Sequence, residues 1–71
     1  MQRFAVLGAG SWGTALALVL ARNGHSVRLW GHDPATMTTM AERRHNPRYL
    51  SDIGLPEQIT PLSDLPTAVD D

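Results

Sequence analysis

The stretch FAVLGAGSWGTALA, from Phe4 to Ala17, sets Gly8, Gly10 and Gly13 inside an otherwise apolar run. Glycine in a strand or helix costs backbone entropy and offers no side chain to pack, so this spacing calls for a turn or a close approach. The apolar run before Gly8 is too short for a helix and suits a buried parallel strand over Phe4 to Leu7. Trp12 to Asn23 then favours helix, and Asn23-Gly24 is a stop signal in which Gly24 can take the left-handed conformation. Ser26 to Trp30 alternates Val27 and Leu29 with Ser26 and Arg28 and reads as a second strand. The three elements make one βαβ unit with a right-handed crossover.

In that context the glycines fit a dinucleotide-binding turn. Gly8 permits the tight turn, Gly10 lets the backbone approach a pyrophosphate, and Gly13 lets helix and strand pack closely. The pyrophosphate would rest on the amides around Ser11, Trp12 and Gly13, favoured by the positive end of the helix. A triphosphatase loop, GxxxxGK followed by Ser or Thr, matches only at its outer glycines, because Thr14 stands where the lysine must be. A flavin enzyme stays open.

The end of the second strand, RLWGHD, bears on which cofactor is held. An acidic residue there would accept from a ribose hydroxyl. By strand register Gly31 takes the place, whereas by counting along the chain Asp33 could. With Gly31 in the place no carboxylate repels a 2′-phosphate, and His32 can donate to one, which leans toward NADP over NAD. Asp33 before Pro34 is also a strong helix start. Met37, Met40, Ala41 and Arg44 follow at helical spacing to about His45, the methionines as packing residues. Arg43 or Arg44 could reach a phosphate or simply end a solvated helix. Beyond Asn46-Pro47 the chain is irregular, with a short strand near Gln58 to Thr60 and a helix beginning within Ser63 to Val69.

Composition narrows the remaining classes. The 71 residues carry a net charge of -1, with no basic stripe for nucleic acid. There is no cysteine, so neither a disulfide framework nor a Cys-based zinc site is available, and a reducing cytoplasm is the default. The opening segment is too short and too interrupted to span a membrane or serve as a secretory signal. His25 and His45 have no ligand spacing, and no metal site is expected. All six basic residues are arginine, so chemistry that needs a lysine must lie outside these residues. The first helix is apolar almost all round from Ala15 to Ala21, which calls for a sheet beneath it and further protein above it.

VLGAGSWGTALALVLARNGHSVRLWGHDP, with NPRYLSDIGLPEQI and SDL, resembles the N-terminus of bacterial NAD(P)-dependent glycerol-3-phosphate dehydrogenases over essentially all 71 residues. Its most specific parts are Ser11-Trp12-Gly13-Thr14-Ala15 and the Asn46, Tyr49, Leu50 pattern upstream of Leu55-Pro56. Ser51 departs from it, standing where that family usually has proline. The resemblance implies the first βαβ portion of a Rossmann-type doubly wound parallel α/β sheet, with 1–71 as the N-terminal part of a dinucleotide-binding domain. The rest of that domain, a catalytic lysine and a helical substrate domain would lie elsewhere, so no catalytic residue is expected here. It further implies cofactor contacts at Ser11, Trp12, His32 and Tyr49, beside Gly8, Gly10 and Gly13 of the turn. The implied reaction interconverts dihydroxyacetone phosphate and sn-glycerol 3-phosphate by hydride transfer for glycerophospholipid synthesis in the cytoplasm. A homo-oligomeric complete enzyme is compatible with it. A stand-alone nucleotide-binding module and another NAD(P)-dependent dehydrogenase are the alternatives.

Overall fold

The computed structural model describes residues 2–48 and 53–69. Its elements run β1 (Arg3–Leu7), α1 (Ser11–Arg22), β2 (Ser26–Trp30), α2 (Pro34–Arg43), β3 (Ile59–Leu62) and α3 (Leu65–Val69). The strands form one parallel sheet in the order β1-β2-β3. This is the expected βαβ unit, extended by a third strand and by helices in the manner of a Rossmann sheet. Helix α1 starts at Ser11, one residue before the expected start, because Gly10 already takes the N-cap position. The third strand lies at Ile59–Leu62, slightly later than the expected segment.

Register explains which residues become core. Val6 pairs with Leu29, and Val27 with Ile59, so these side chains share one face of the pleat. On that face Val27, Leu29 and Ile59 are fully buried, together with Ala17, Leu18 and Ala21 of α1 and Met37 and Met40 of α2. Both methionines are therefore packing residues. The other face of β2 presents Arg28 and Trp30, which donate to the carbonyls of Thr67 and Ser63 and so tie down α3 and its approach. One helix pair below the sheet and α3 above it begin a doubly wound arrangement.

The ends of the elements follow from local chemistry. Gly24 closes α1 with φ at 85°, in the region that favours glycine. Asp33 caps α2 as expected, accepting from the Ala35 amide at 3.3 Å and from the Thr36 hydroxyl at 2.6 Å. The Thr36 hydrogen bond is the main reason that the Asp33 carboxyl lies below its ordinary pKa. At the other end of α2, Arg44 is left-handed with φ at 58°. Its guanidinium donates to the carbonyls of Pro56 and Ile59, both at 2.7 Å. Arg44 thus fastens the return loop to β3, and the alternative in which it reaches a phosphate is corrected by that engagement.

Cover on the outer side of α1 is the one expectation of the core left unmet within the described residues. Leu16 is 40% exposed and Val19 54% exposed, while Leu7 at the end of β1 is 57% exposed. Leu7 and Leu16 line one recess beside β1, at one edge of the sheet, and Val19 extends this apolar flank by one turn along α1.

Candidate dinucleotide site

Three strands deliver their carboxyl ends to one place. The Gly8 amide donates to the Trp30 carbonyl at 2.8 Å, and the Gly31 amide donates to the Leu62 carbonyl at 3.0 Å. The turns after β1 and β2 are therefore held side by side, where parallel sheets bind ligands.

The glycines of the first turn each answer a different demand. Gly8 has φ at 126°, a conformation that L side chains rarely adopt. A Cβ on Gly13 would collide with the Gly8 carbonyl oxygen and stand 3.0 Å from the Gly8 carbonyl carbon, so the helix can approach the strand only with glycine there. Gly10 is extended, with φ −77° and ψ −170°, and a Cβ on it would meet no protein atom within 4 Å. No packing demand explains glycine at this position. The open space beside it suits a group that must come close to the backbone.

The N-terminus of α1 is correspondingly open. Gly10 supplies no side-chain cap and no acidic residue stands in the first turn, so the Ser11, Trp12 and Gly13 amides meet no carboxylate from their own helix. Free amides and the helix dipole make such an end attractive to an anion. The residues present therefore fit a pyrophosphate group.

Gly8, Ala9 and Gly10 form one wall of a cleft of about 300 Å³, and Gly31, His32, Asp33, Thr36 and Met37 form the other. His32 is exposed and lines the cleft. Gly31 has a packing reason as well, since a Cβ on it would press into Met37 and lie 3.1 Å from the Ala9 Cβ. An acidic side chain there would thus have to displace core residues. Trp12 is 82% exposed and lines a second recess on the β1 side of the turn, with Leu7, Gly10 and Leu16. Ser11 lines that recess too. Tyr49 lies outside the described residues.

Two participants have roles that the motifs do not give. Asn46 is fully buried, and its amide Nδ2 donates to the Ala9 carbonyl at 2.8 Å and to the Thr14 hydroxyl oxygen at 2.9 Å. Its Oδ1 accepts from the Arg48 amide at 3.0 Å. Asn46 therefore fastens the glycine turn to a segment more than thirty residues later, and Arg48 follows it to the rim of the cleft. In sequence Asn46 belongs to the Asn46, Tyr49, Leu50 pattern and Asn46-Pro47 marks where the chain becomes irregular, and neither gives it this role. His25 accepts from the Gln2 amide at 3.0 Å, and His45 lies against the Arg43 carbonyl at 3.3 Å. Among the described residues no cluster of metal-ligating side chains occurs, and no helix is long and apolar enough to cross a membrane.

Residues 3–71 match the family model described as NAD-dependent glycerol-3-phosphate dehydrogenase N-terminus. Glycerol-3-phosphate dehydrogenase, NAD(P)+, of Thioalkalivibrio sulfidiphilus is 60% identical over 65 residues, covering 92% of this chain and 20% of that protein. Its namesake from Geobacillus kaustophilus is 56% identical over 70 residues, 99% of this chain and 20% of that protein. The crystal structure of glycerol-3-phosphate dehydrogenase from Coxiella burnetii superposes with a TM-score of 0.89 at 47% identity, over 93% of this chain and 20% of that one. The chain spans about a fifth of the length of these relatives.

Proposed function

Because the chain belongs to the family of NAD-dependent glycerol-3-phosphate dehydrogenase N-termini, we propose that it is the cofactor-binding portion of an enzyme that interconverts dihydroxyacetone phosphate and sn-glycerol 3-phosphate. The observation that carries the reading is the open N-terminus of α1 beside Gly10, set at the carboxyl ends of β1 and β2.

In this reading the Ser11, Trp12 and Gly13 amides receive the pyrophosphate of NAD(P)H, and Gly10 lets it approach. Gly31 and His32 flank the adenosine ribose, and NADPH is the preferred form. Trp12 walls one side of the turn and keeps water from that flank of the cofactor. Tyr49 contributes a further contact. When bound, the dihydronicotinamide supplies a hydride to the ketone carbon. The substrate and the proton-transfer groups are held by regions beyond these residues, consistent with the absence of lysine from the sequence. The apolar flank of Leu7, Leu16 and Val19 is where the rest of the dinucleotide domain packs. The reading also places the enzyme in the cytoplasm, where its product feeds glycerophospholipid synthesis.

The test is the loss of NADPH absorbance when the complete protein meets dihydroxyacetone phosphate. Turnover is expected with this ketone. Reduction of a different ketone or imine, with none of dihydroxyacetone phosphate, would assign the turn to another dehydrogenase.

A further inference from the structure

The cleft between the two turns contains one cation that is not on either turn. Arg48 lines it together with Gly31 and His32, and arrives there from the segment after α2. Its position follows from the fully buried Asn46, whose Oδ1 holds the Arg48 amide at 3.0 Å while its Nδ2 holds the glycine turn through Ala9 at 2.8 Å. Backbone and turn are thereby fixed to one another by a single side chain.

The charges around the cleft decide what this arginine can read. Gly31 contributes no side chain, and a carboxylate there is opposed by Met37 and the Ala9 Cβ. Asp33, the acid of the cleft, directs one oxygen to the Ala35 amide and the other to the Thr36 hydroxyl, so both oxygens turn toward the start of α2 while the carboxyl stays ionised. His32 offers a ring nitrogen at the same wall. A guanidinium and an imidazole that line one cleft, whose carboxylate is turned to the Ala35 amide and the Thr36 hydroxyl, suit a phosphate monoester, and a guanidinium can bind it through two parallel hydrogen bonds.

We propose that Arg48 is the residue that distinguishes NADPH from NADH, donating to the 2′-phosphate of the adenosine ribose from a position set by Asn46. The assignment rests on the dinucleotide reading above. It differs from the sequence expectation in taking the decisive charge from outside the β2 turn.

The experiment is a fluorescence titration of the complete protein through Trp12 and Trp30, comparing wild type with Arg48→Ala and Arg48→Lys. The probes are NADPH, NADH and adenosine 2′,5′-bisphosphate, with ADP as the control lacking the 2′-phosphate. For Arg48→Ala the dissociation constants of NADPH and the bisphosphate should rise by about tenfold or more, with those of NADH and ADP changed by less than about twofold. Arg48→Lys should recover part of the loss, which also guards against a folding defect. Equal losses for phosphorylated and unphosphorylated probes, or no loss for either, would overturn the role of Arg48 and leave the dinucleotide site standing. A wild-type protein that binds none of the four probes would instead overturn the dinucleotide reading and this assignment with it.

Discussion

Two helices begin side by side at the same end of the sheet, and they begin in opposite ways. Helix α2 is closed by Asp33, which accepts from Ala35 and Thr36, with Pro34 at its first position. Helix α1 starts at Gly10 with no side-chain cap and no acid in its first turn. Glycine at an N-cap forgoes roughly a few tenths of a kcal/mol relative to Asp, so leaving α1 open costs the fold little compared with what a capping side chain would block. The difference teaches that one helix start is closed within the fold, whereas its neighbour leaves its first amides uncapped beside Gly10, where a Cβ would meet no protein atom.

The comparison can be broken most sharply at Gly13. Gly13→Ala drives a methyl group into the Gly8 carbonyl and should cost on the order of 3 kcal/mol, read as a lower denaturation midpoint. Gly10→Ala meets no atom of the protein and should change stability by less than about 1 kcal/mol, yet weaken NADPH binding by about tenfold or more. Comparable stability losses at the two glycines would show that both serve packing.

Asn46→Ala comes next. It leaves the Ala9 carbonyl without its buried amide partner and should destabilise by about 1–3 kcal/mol. Because the turn is then held less firmly, affinity for NADPH and for NADH should fall together. A variant as stable as wild type would mean that water replaces the amide without cost.

For α2 the expectation concerns acid. The folded Asp33 carboxyl has a lowered pKa, so it binds its proton less readily than in the unfolded chain. Its contribution is therefore present above the ordinary carboxylate range and is lost as the pH falls through the lowered folded value. Asp33→Asn keeps a capping oxygen and should flatten that part of the stability profile. An unchanged acid limb would show that the cap carbonyls and amides, rather than the charge, hold the start of α2. The smallest effect is expected at Trp12: with 82% of the residue exposed, Trp12→Ala should leave stability within about 0.5 kcal/mol.

Much of this contrast was legible in the sequence. The glycine spacing, the alternation in Ser26 to Trp30 and the Asp33-Pro34 pair are local signals, and the turn, β2 and the capped α2 follow from them. The nearly all-round apolar α1 likewise announces a flank that these residues leave open, with Val19 54% exposed. Asn46, Arg44 and Arg48 could not be read in the same way. Each acts across a gap in the chain, Asn46 on Ala9, Arg44 on Ile59 and Arg48 on the cleft wall, and no local periodicity encodes a contact of that kind. Gly31 shows the same limit from the other side, since its place at the strand end was evident and the crowding against Met37 was not.

The most direct test compares backbone amide shifts in nitrogen-labelled protein as NADPH is added. The amides of Ser11, Trp12 and Gly13 should show the largest changes, and those of Ala35 and Thr36, already turned toward Asp33, should show small ones. Unmoved amides at the start of α1, or larger changes at the start of α2, would contradict the claim that the uncapped helix end receives the cofactor.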